Sequence, residues 1–301
     1  VDRGDLPHDD LLYQPITPSF GAELSGVRLV DLAPGVLRDA LHRYGVLVAR
    51  DQHLTHAEQV VVARSIGEPT PAHPVVPGHP DHPEILVLDG ASGGRNARWH
   101  TDVTFVVAPP AASVLVADEV PAVGGDTLWA DLRAAHDSLS LPMRTMLAEL
   151  DAVHRITPLA YWGEPADSAL GRDDALALLR QAAEVPPVMH PVVRVHPTTR
   201  RPALFVNPGF TSHVVGMSRV ESDGLLALLH AHTARPEHTL RHRWRNGDVV
   251  LWDNQATMHY AVDDYGSADR RMRRVTVRGE APLGLRGQVS AVVADPLLAV
   301  R

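Results

Sequence analysis

The 301-residue chain contains no cysteine. A disulfide scaffold, a thiolate nucleophile, a zinc finger and an iron–sulfur cluster are therefore excluded, and a reducing cytoplasm is a compatible setting. Lysine is absent as well, since all 28 basic residues are arginine. That removes Schiff-base chemistry and the lysine of a phosphate-binding loop. No basic run is long enough to follow a nucleic-acid backbone, and a formal charge of −8 disfavours that partner. Apolar runs are a few residues long, far short of a membrane span. The first residues, Val1-Asp2-Arg3-Gly4-Asp5, are acidic and polar, unlike a secretory leader. What is present is a globular composition, 45% hydrophobic, with proline and glycine spread along the chain and no internal repeat. The length is ample for a sizeable core.

Hydrophobic spacing predicts a helix over about 35–44, with Asp31 as its cap, and a strand at 46–49. Thr55 and Glu58 have the spacing of a capping box for a helix ending at Gly67. Residues 69–83 are rich in Pro and His and read as a long loop, a common place for function. Strands are expected at 85–88, 112–117, 192–195, 203–207, 240–245, 249–253 and 274–278. Helices are expected at 131–150, 173–184 and 219–233, the last behind a second capping box, Ser218 and Glu221. Asn246-Gly247 is a two-residue hairpin signal between two of the strands. With no linker between independent patterns, the expectation is one mixed α/β domain over residues 1–301, a β core with helices outside it.

Eighteen histidines invite metal hypotheses, but the pattern H-x-[DE] occurs five times, so a bare match means little. His8 lies in a polar tail, His56 and Glu58 face different directions on a helix, and His79 and His82 fall in the Pro-rich loop. Only His100 and Asp102 sit in an aromatic, β-branched segment, Trp99-His-Thr-Asp-Val-Thr-Phe105. On a strand, i and i+2 share a face, so both side chains can converge on one ion. The best third ligand is His259, just after the strand 249–254. Two His and one carboxylate leave three octahedral positions open, which suits non-haem Fe(II) with a chelating cosubstrate and O2. A hydrolytic zinc site uses similar ligands but commonly keeps one open position, and no general-base Glu stands beside His259. A β-barrel binding protein with structural histidines is the other alternative.

A chelating keto acid needs its distal carboxylate held, and arginine does that with a bidentate fork. Arg270 lies eleven residues beyond His259, followed by Arg271, Met272, Arg273 and Arg274. On a strand, Arg270 and Arg274 would both point inward. Two inward cations are costly unless each meets an anion, which suggests two anionic ligands; a solvated basic edge is the plain alternative.

Three segments carry a family resemblance: Trp99 to Phe105, Gly124-Gly-Asp-Thr-Leu-Trp129, and Leu251-Trp-Asp-Asn-Gln-Ala-Thr-Met-His-Tyr260. In order and separation, from about residue 15 to about 280, they resemble the taurine dioxygenase family. This Fe(II)- and 2-oxoglutarate-dependent group also includes alkylsulfatases and aryloxyalkanoate dioxygenases. The resemblance implies a double-stranded β-helix, or jelly roll, with flanking helices. It implies that His100, Asp102 and His259 bind iron and that Arg270 and Thr127 hold 2-oxoglutarate, with O2 as the third reactant. Trp129 and Trp252 read as core or pocket wall. His73, Asn96 and Arg274 stand where taurine-specific members contact their substrate, and His73 with Arg274 favours a sulfonate or sulfate head group. Thr157-Pro-Leu-Ala-Tyr-Trp162 departs from that pattern by lacking a Phe, whereas Phe205 to Phe210 matches it. The expected reaction is hydroxylation of the carbon beside the sulfur-containing group, releasing sulfite or sulfate and an aldehyde together with succinate and CO2. A same-family hydroxylase for a specialised metabolite or an aryloxyalkanoate is the second reading. The partners implied are an anionic small molecule and a second copy of the chain, as a dimer or tetramer.

Overall fold

The computed structural model describes residues 12–90, 97–156 and 172–293. The chain runs through β1 (Leu12–Pro15), β2 (Ala22–Ser25), α1 (Val36–Tyr44), β3 (Val46–Ala49) and α2 (His56–Ile66). Next come β4 (Ile85–Asp89), β5 (Ala112–Glu119), β6 (Thr127–Asp131), α3 (Leu132–Asp137), α4 (Leu141–Leu147) and β7 (Asp151–His154). The third stretch holds α5 (Arg172–Ala183), β8 (Val188–Pro191), β9 (Val193–Val195), β10 (Pro202–Leu204), β11 (Thr211–Val214) and α6 (Arg219–Thr233). The last strands are β12 (Thr239–His242), β13 (Val249–Asp253), β14 (Thr257–Ala261), β15 (Arg271–Val277), β16 (Leu283–Gly284) and β17 (Ala291–Val292).

A seven-stranded sheet in the order β1-β2-β3-β13-β5-β15-β4 forms one wall. Its central strands are apolar on both faces, which is what a doubly covered sheet requires. Leu47, Ala49, Val114, Val116, Val249, Leu251, Val275 and Val277 pack outward beneath α1 and α2. The alternate residues Val46, Val48, Leu115, Ala117, Val250, Trp252 and Met272 pack inward with Trp129 and Leu240 of the β12-β6-β14 sheet. Two facing sheets with helices outside make the jelly roll that the resemblance implies. The inward face is the one that carries polar side chains into the interior.

Both capping boxes form, at Thr55/Glu58 and at Ser218/Glu221. Helix α1, in contrast, is not capped by Asp31: Gly35, at φ 88°, precedes it without any side-chain cap. The helix expected over 131–150 is two short helices, with Asp131 capping the first and Ser140 opening the second. The hairpin expected at Asn246-Gly247 does not form, because β12 and β13 belong to different sheets. That turn is a crossover, in which Gly247 N–H donates to Ala117 O and Asn246 Oδ1 accepts from Val120 N–H.

Two fully buried histidines brace the interior. His190 Nε2 lies 2.8 Å from the Thr104 carbonyl and His154 Nδ1 lies 3.0 Å from the Thr104 hydroxyl. Burial pushes His190 down to about 4 and His154 well below its ordinary range, so both are neutral in the fold. The unfolded chain therefore takes up these protons first as pH falls, and stability is complete above about 6.5 and lost toward about 4. Denaturant unfolding at pH 5 should show a loss of about 2 kcal/mol from His190 alone relative to pH 8. Stability flat across that window would contradict this assignment.

Candidate active site

Strand β14 pairs with β6 in the register His259 with Trp129. Met258 packs into the core behind this sheet, so His259 faces the interior, its ring 4.8 Å from that of Trp252. His100 extends the ladder by one residue. Its N–H donates to His259 O at 2.9 Å, and His259 N–H donates back to His100 O at 2.7 Å. The two imidazole centres are 4.1 Å apart.

Asp102 is not on a strand. Residues 102–105 form a turn in which Val103 adopts φ 55°, a strained conformation for a β-branched residue. The turn, rather than strand pleating, brings i and i+2 together. Asp102 Oδ1 lies 3.8 Å from His100 Nε2 and 3.9 Å from His259 Nε2. All three donor atoms fall within 4.8 Å of one another, and all three residues are buried.

Protonation completes the donor set. Burial lowers the basicity of His100, and lowers that of His259 well below the ordinary range, so both rings are neutral. Burial alone would raise the Asp102 carboxyl, but the Arg274 guanidinium, with the Ser113 hydroxyl, outweighs it and holds Asp102 at about 2. His100 Nδ1 faces the Arg98 carbonyl at 2.8 Å, and a carbonyl only accepts. The proton is thus on Nδ1 and the Nε2 lone pair points at Asp102, the tautomer a metal ligand needs. These residues fit a divalent ion.

The four arginines after His259 divide by partner. Arg271 pairs with Glu119 at the surface, and Arg273 faces the helix side, held by both Asp118 oxygens at 2.7 and 2.9 Å. Arg274 is buried and donates to Asp102 Oδ1. Arg270 is buried too, yet pairs with no carboxylate among the described residues; its Nε is 3.3 Å from Gly125 O. Of the two inward cations, Arg274 therefore has a carboxylate partner within the chain, whereas Arg270 has none among the described residues. Thr127 lies two residues beyond Gly125, and its hydroxyl accepts from Trp244 Nε1 at 2.9 Å, keeping its own hydrogen to donate.

The sequence matches the family model described as taurine catabolism dioxygenase TauD, TfdA family, over residues 12–276. The chain belongs to this family. An alpha-ketoglutarate-dependent sulfate ester dioxygenase of Pseudomonas putida is 42% identical, covering 94% of this chain and 95% of that protein. An alkylsulfatase of Acinetobacter baylyi is 37% identical over 93% and 89%. The crystal structure of a taurine dioxygenase from Burkholderia xenovorans superposes with a TM-score of 0.79 at 35% identity, covering 96% of this chain and 98% of that one. This TauD/TfdA protein is thus an enzyme, a dioxygenase dependent on Fe(II), 2-oxoglutarate and O2.

His73 is buried in the loop between α2 and β4. Its Nδ1 accepts from Val75 N–H and Val76 N–H, both at 3.1 Å, which leaves the proton on Nε2. Burial, then Arg274, push it down to about 3, so His73 is a neutral hydrogen-bond donor rather than a second cation. It lines a cavity of about 290 Å³ whose other walls include Pro71, Val103, Val106 and Thr276. Asn96 and the Thr157–Trp162 segment lie outside the described residues.

Sequence reasoning missed three contributors. Gly125, at φ 69°, brings its backbone against Arg270, where a Cβ would stand 3.3 Å from Cδ and Nε. Asn254 hydrogen-bonds the Asp102 peptide, and Ser113 bonds its carboxylate. Gly125 and Asn254 lie inside the segments that carry the resemblance, where an Asn at the end of an apolar strand is the visible signal.

A second cluster, His42, His196 and Asp253, has the same residue types at similar spacing. There, His196 Nδ1 accepts from Thr198 and Thr199 N–H at 3.2 and 3.1 Å, which puts the proton on Nε2, donated to Asp253 Oδ2 at 2.8 Å. His196 thus has no lone pair left for a metal. Metal analysis should therefore find one divalent ion per chain, retained by His196→Ala and lost in Asp102→Ala. Loss of the ion in His196→Ala would contradict the tautomer argument.

Proposed function

We propose that His100, Asp102 and His259 hold the iron, and that Arg270, with Thr127, anchors the distal carboxylate of 2-oxoglutarate. Arg274 and His73 receive the sulfate or sulfonate head group of the substrate, and Asn96, matched by sequence alone, is a third contact. The observation that carries this reading is the buried guanidinium of Arg270, which has no anion of its own among the described residues. Iron, 2-oxoglutarate and O2 together supply the oxidising power for C–H hydroxylation.

The protein's contribution is positioning. Arg270 orients the cosubstrate by its far end, and a guanidinium fork suits a carboxylate bidentately. His73 contributes one fixed N–H, and its neutrality leaves Arg274 as the charge that selects an anion. The cavity that His73 lines, with Pro71, Val103 and Val106 in its walls, suits a hydrocarbon remainder. Held in this way, one C–H of the carbon next to the head group faces the metal. Hydroxylation there gives a product that collapses to an aldehyde, with sulfate from an ester or sulfite from a sulfonate, alongside succinate and CO2. Relatives named for sulfate esters and alkylsulfates share more of the sequence, at 42% and 37%, than the 2,4-dichlorophenoxyacetate dioxygenase of Cupriavidus pinatubonensis at 32%.

Succinate release should be measured under air with Fe(II) and 2-oxoglutarate, across alkyl sulfates, alkylsulfonates, taurine and aryloxyacetates. Oxygen-dependent succinate with stoichiometric sulfate or sulfite is the expected result. His73→Ala should raise KM for that substrate about 10–100-fold, the cost of a hydrogen bond to a charged group. Stimulation by aryloxyacetates alone would move the substrate class to carboxylates.

A further inference from the structure

The carboxylate of the His-Asp-His group stands on a turn that pairs in register with no strand among the described residues. Asn254, just beyond β13 and 1% exposed, does the work of that missing strand. Its Oδ1 accepts from Asp102 N–H at 2.9 Å, while Nδ2 donates to Asp102 O at 3.0 Å and to Pro110 O at 2.9 Å. Asn254's own N–H donates to Ala111 O at 2.9 Å, so its backbone is fixed as well. One side chain thus satisfies both polar groups of the Asp102 residue, as a sheet neighbour would.

The carboxylate itself is held from β5. Ser113, fully buried, donates its hydroxyl to Asp102 Oδ2 at 2.9 Å. The other oxygen, Oδ1, faces the two imidazoles and also accepts from Arg274. The next residue, Val103, is held at φ 55°, and such a conformation persists only where its surroundings over-determine it. Thr101 supplies a further tie through its hydroxyl to Thr257 O at 3.1 Å. Released from these contacts, the turn relaxes toward ordinary backbone angles and carries the carboxylate away from both histidines.

We propose that Asn254 and Ser113 are positioning residues for the metal-binding carboxylate, Asn254 by fixing the Asp102 peptide and Ser113 by committing Oδ2 so that Oδ1 faces the imidazoles. This rests on the reading of His100, Asp102 and His259 as the metal centre. Support of this kind around a ligand is typically worth 10–100-fold in metal affinity.

The test is a Co(II) titration of the metal-free full chain, followed by visible absorption, together with the metal-free melting temperature. Wild type, Asn254→Ala, Ser113→Ala and His196→Ala are compared. Expected are Co(II) affinities about 10–100-fold weaker in Asn254→Ala and severalfold weaker in Ser113→Ala, with His196→Ala within about twofold of wild type however much its melting point falls. A lowered melting point with unchanged Co(II) affinity in both Asn254→Ala and Ser113→Ala makes the residues merely structural and overturns the proposal. Should Asn254→Ala not fold, Ser113→Ala, one hydroxyl smaller, decides alone. A wild type that binds no Co(II), or an Asp102→Ala that binds it equally well, brings down the metal-centre reading and the proposal with it.

Discussion

A guanidinium buried between two β-sheets needs an anion within reach, and that constraint shapes the interior of this protein. Strand β15 and the residue before it turn Arg270, Met272 and Arg274 toward the inside of the jelly roll, while Arg273 is satisfied on the helix side by Asp118. Two cations therefore enter a region lined in part by Trp129, Trp252 and aliphatic side chains. Taking such charges out of water costs several kcal/mol each unless they are paired. Arg274 finds Asp102 within the chain, whereas Arg270 has no carboxylate among the described residues. In the proposed reading, cosubstrate dependence is a matter of charge balance, with the distal carboxylate of 2-oxoglutarate supplying the anion that Arg270 lacks.

The same economy governs the donor set. Burial keeps both imidazoles neutral, and Arg274 keeps Asp102 ionised, so three uncharged or anionic donors point inward without competing protons. Which nitrogen of a histidine carries its proton then decides between a metal ligand and a strut. His100, facing a carbonyl, presents a lone pair; His196, facing two N–H groups, cannot. Identical residue types at similar distances thus have opposite chemical meaning, set by one or two backbone atoms each.

Much of this was legible in the chain. Helices α2 and α6 follow from their capping boxes, and β3 and β13 from short apolar runs with both faces covered. The candidate metal-binding residues His100 and Asp102 stand out because a His-x-Asp in a β-branched, aromatic segment is unlike the other four matches. What lay beyond reach was tertiary in origin. The turn at Asp102 has Val103 in a left-handed conformation, and the Asp102 backbone is hydrogen-bonded by Asn254, 152 positions from Asp102. The Asn246-Gly247 step reads as a hairpin locally, but the strands it joins are claimed by different sheets. Nor does spacing alone reveal that Arg274 is paired internally while Arg270 is not.

Arg270 is the proposed cation that the cosubstrate neutralises, and cosubstrate discrimination measures this most directly. Binding of 2-oxoglutarate and of 2-oxobutanoate, which lacks the distal carboxylate, would be compared by anaerobic calorimetry on Fe(II)-loaded protein, for wild type and Arg270→Gln. Wild type should prefer 2-oxoglutarate by about 100-fold or more, the worth of a charge-assisted bidentate pair, and Arg270→Gln should lose most of that preference. An Arg270→Gln protein that still binds iron and still discriminates between the two keto acids as wild type does would contradict this role for Arg270.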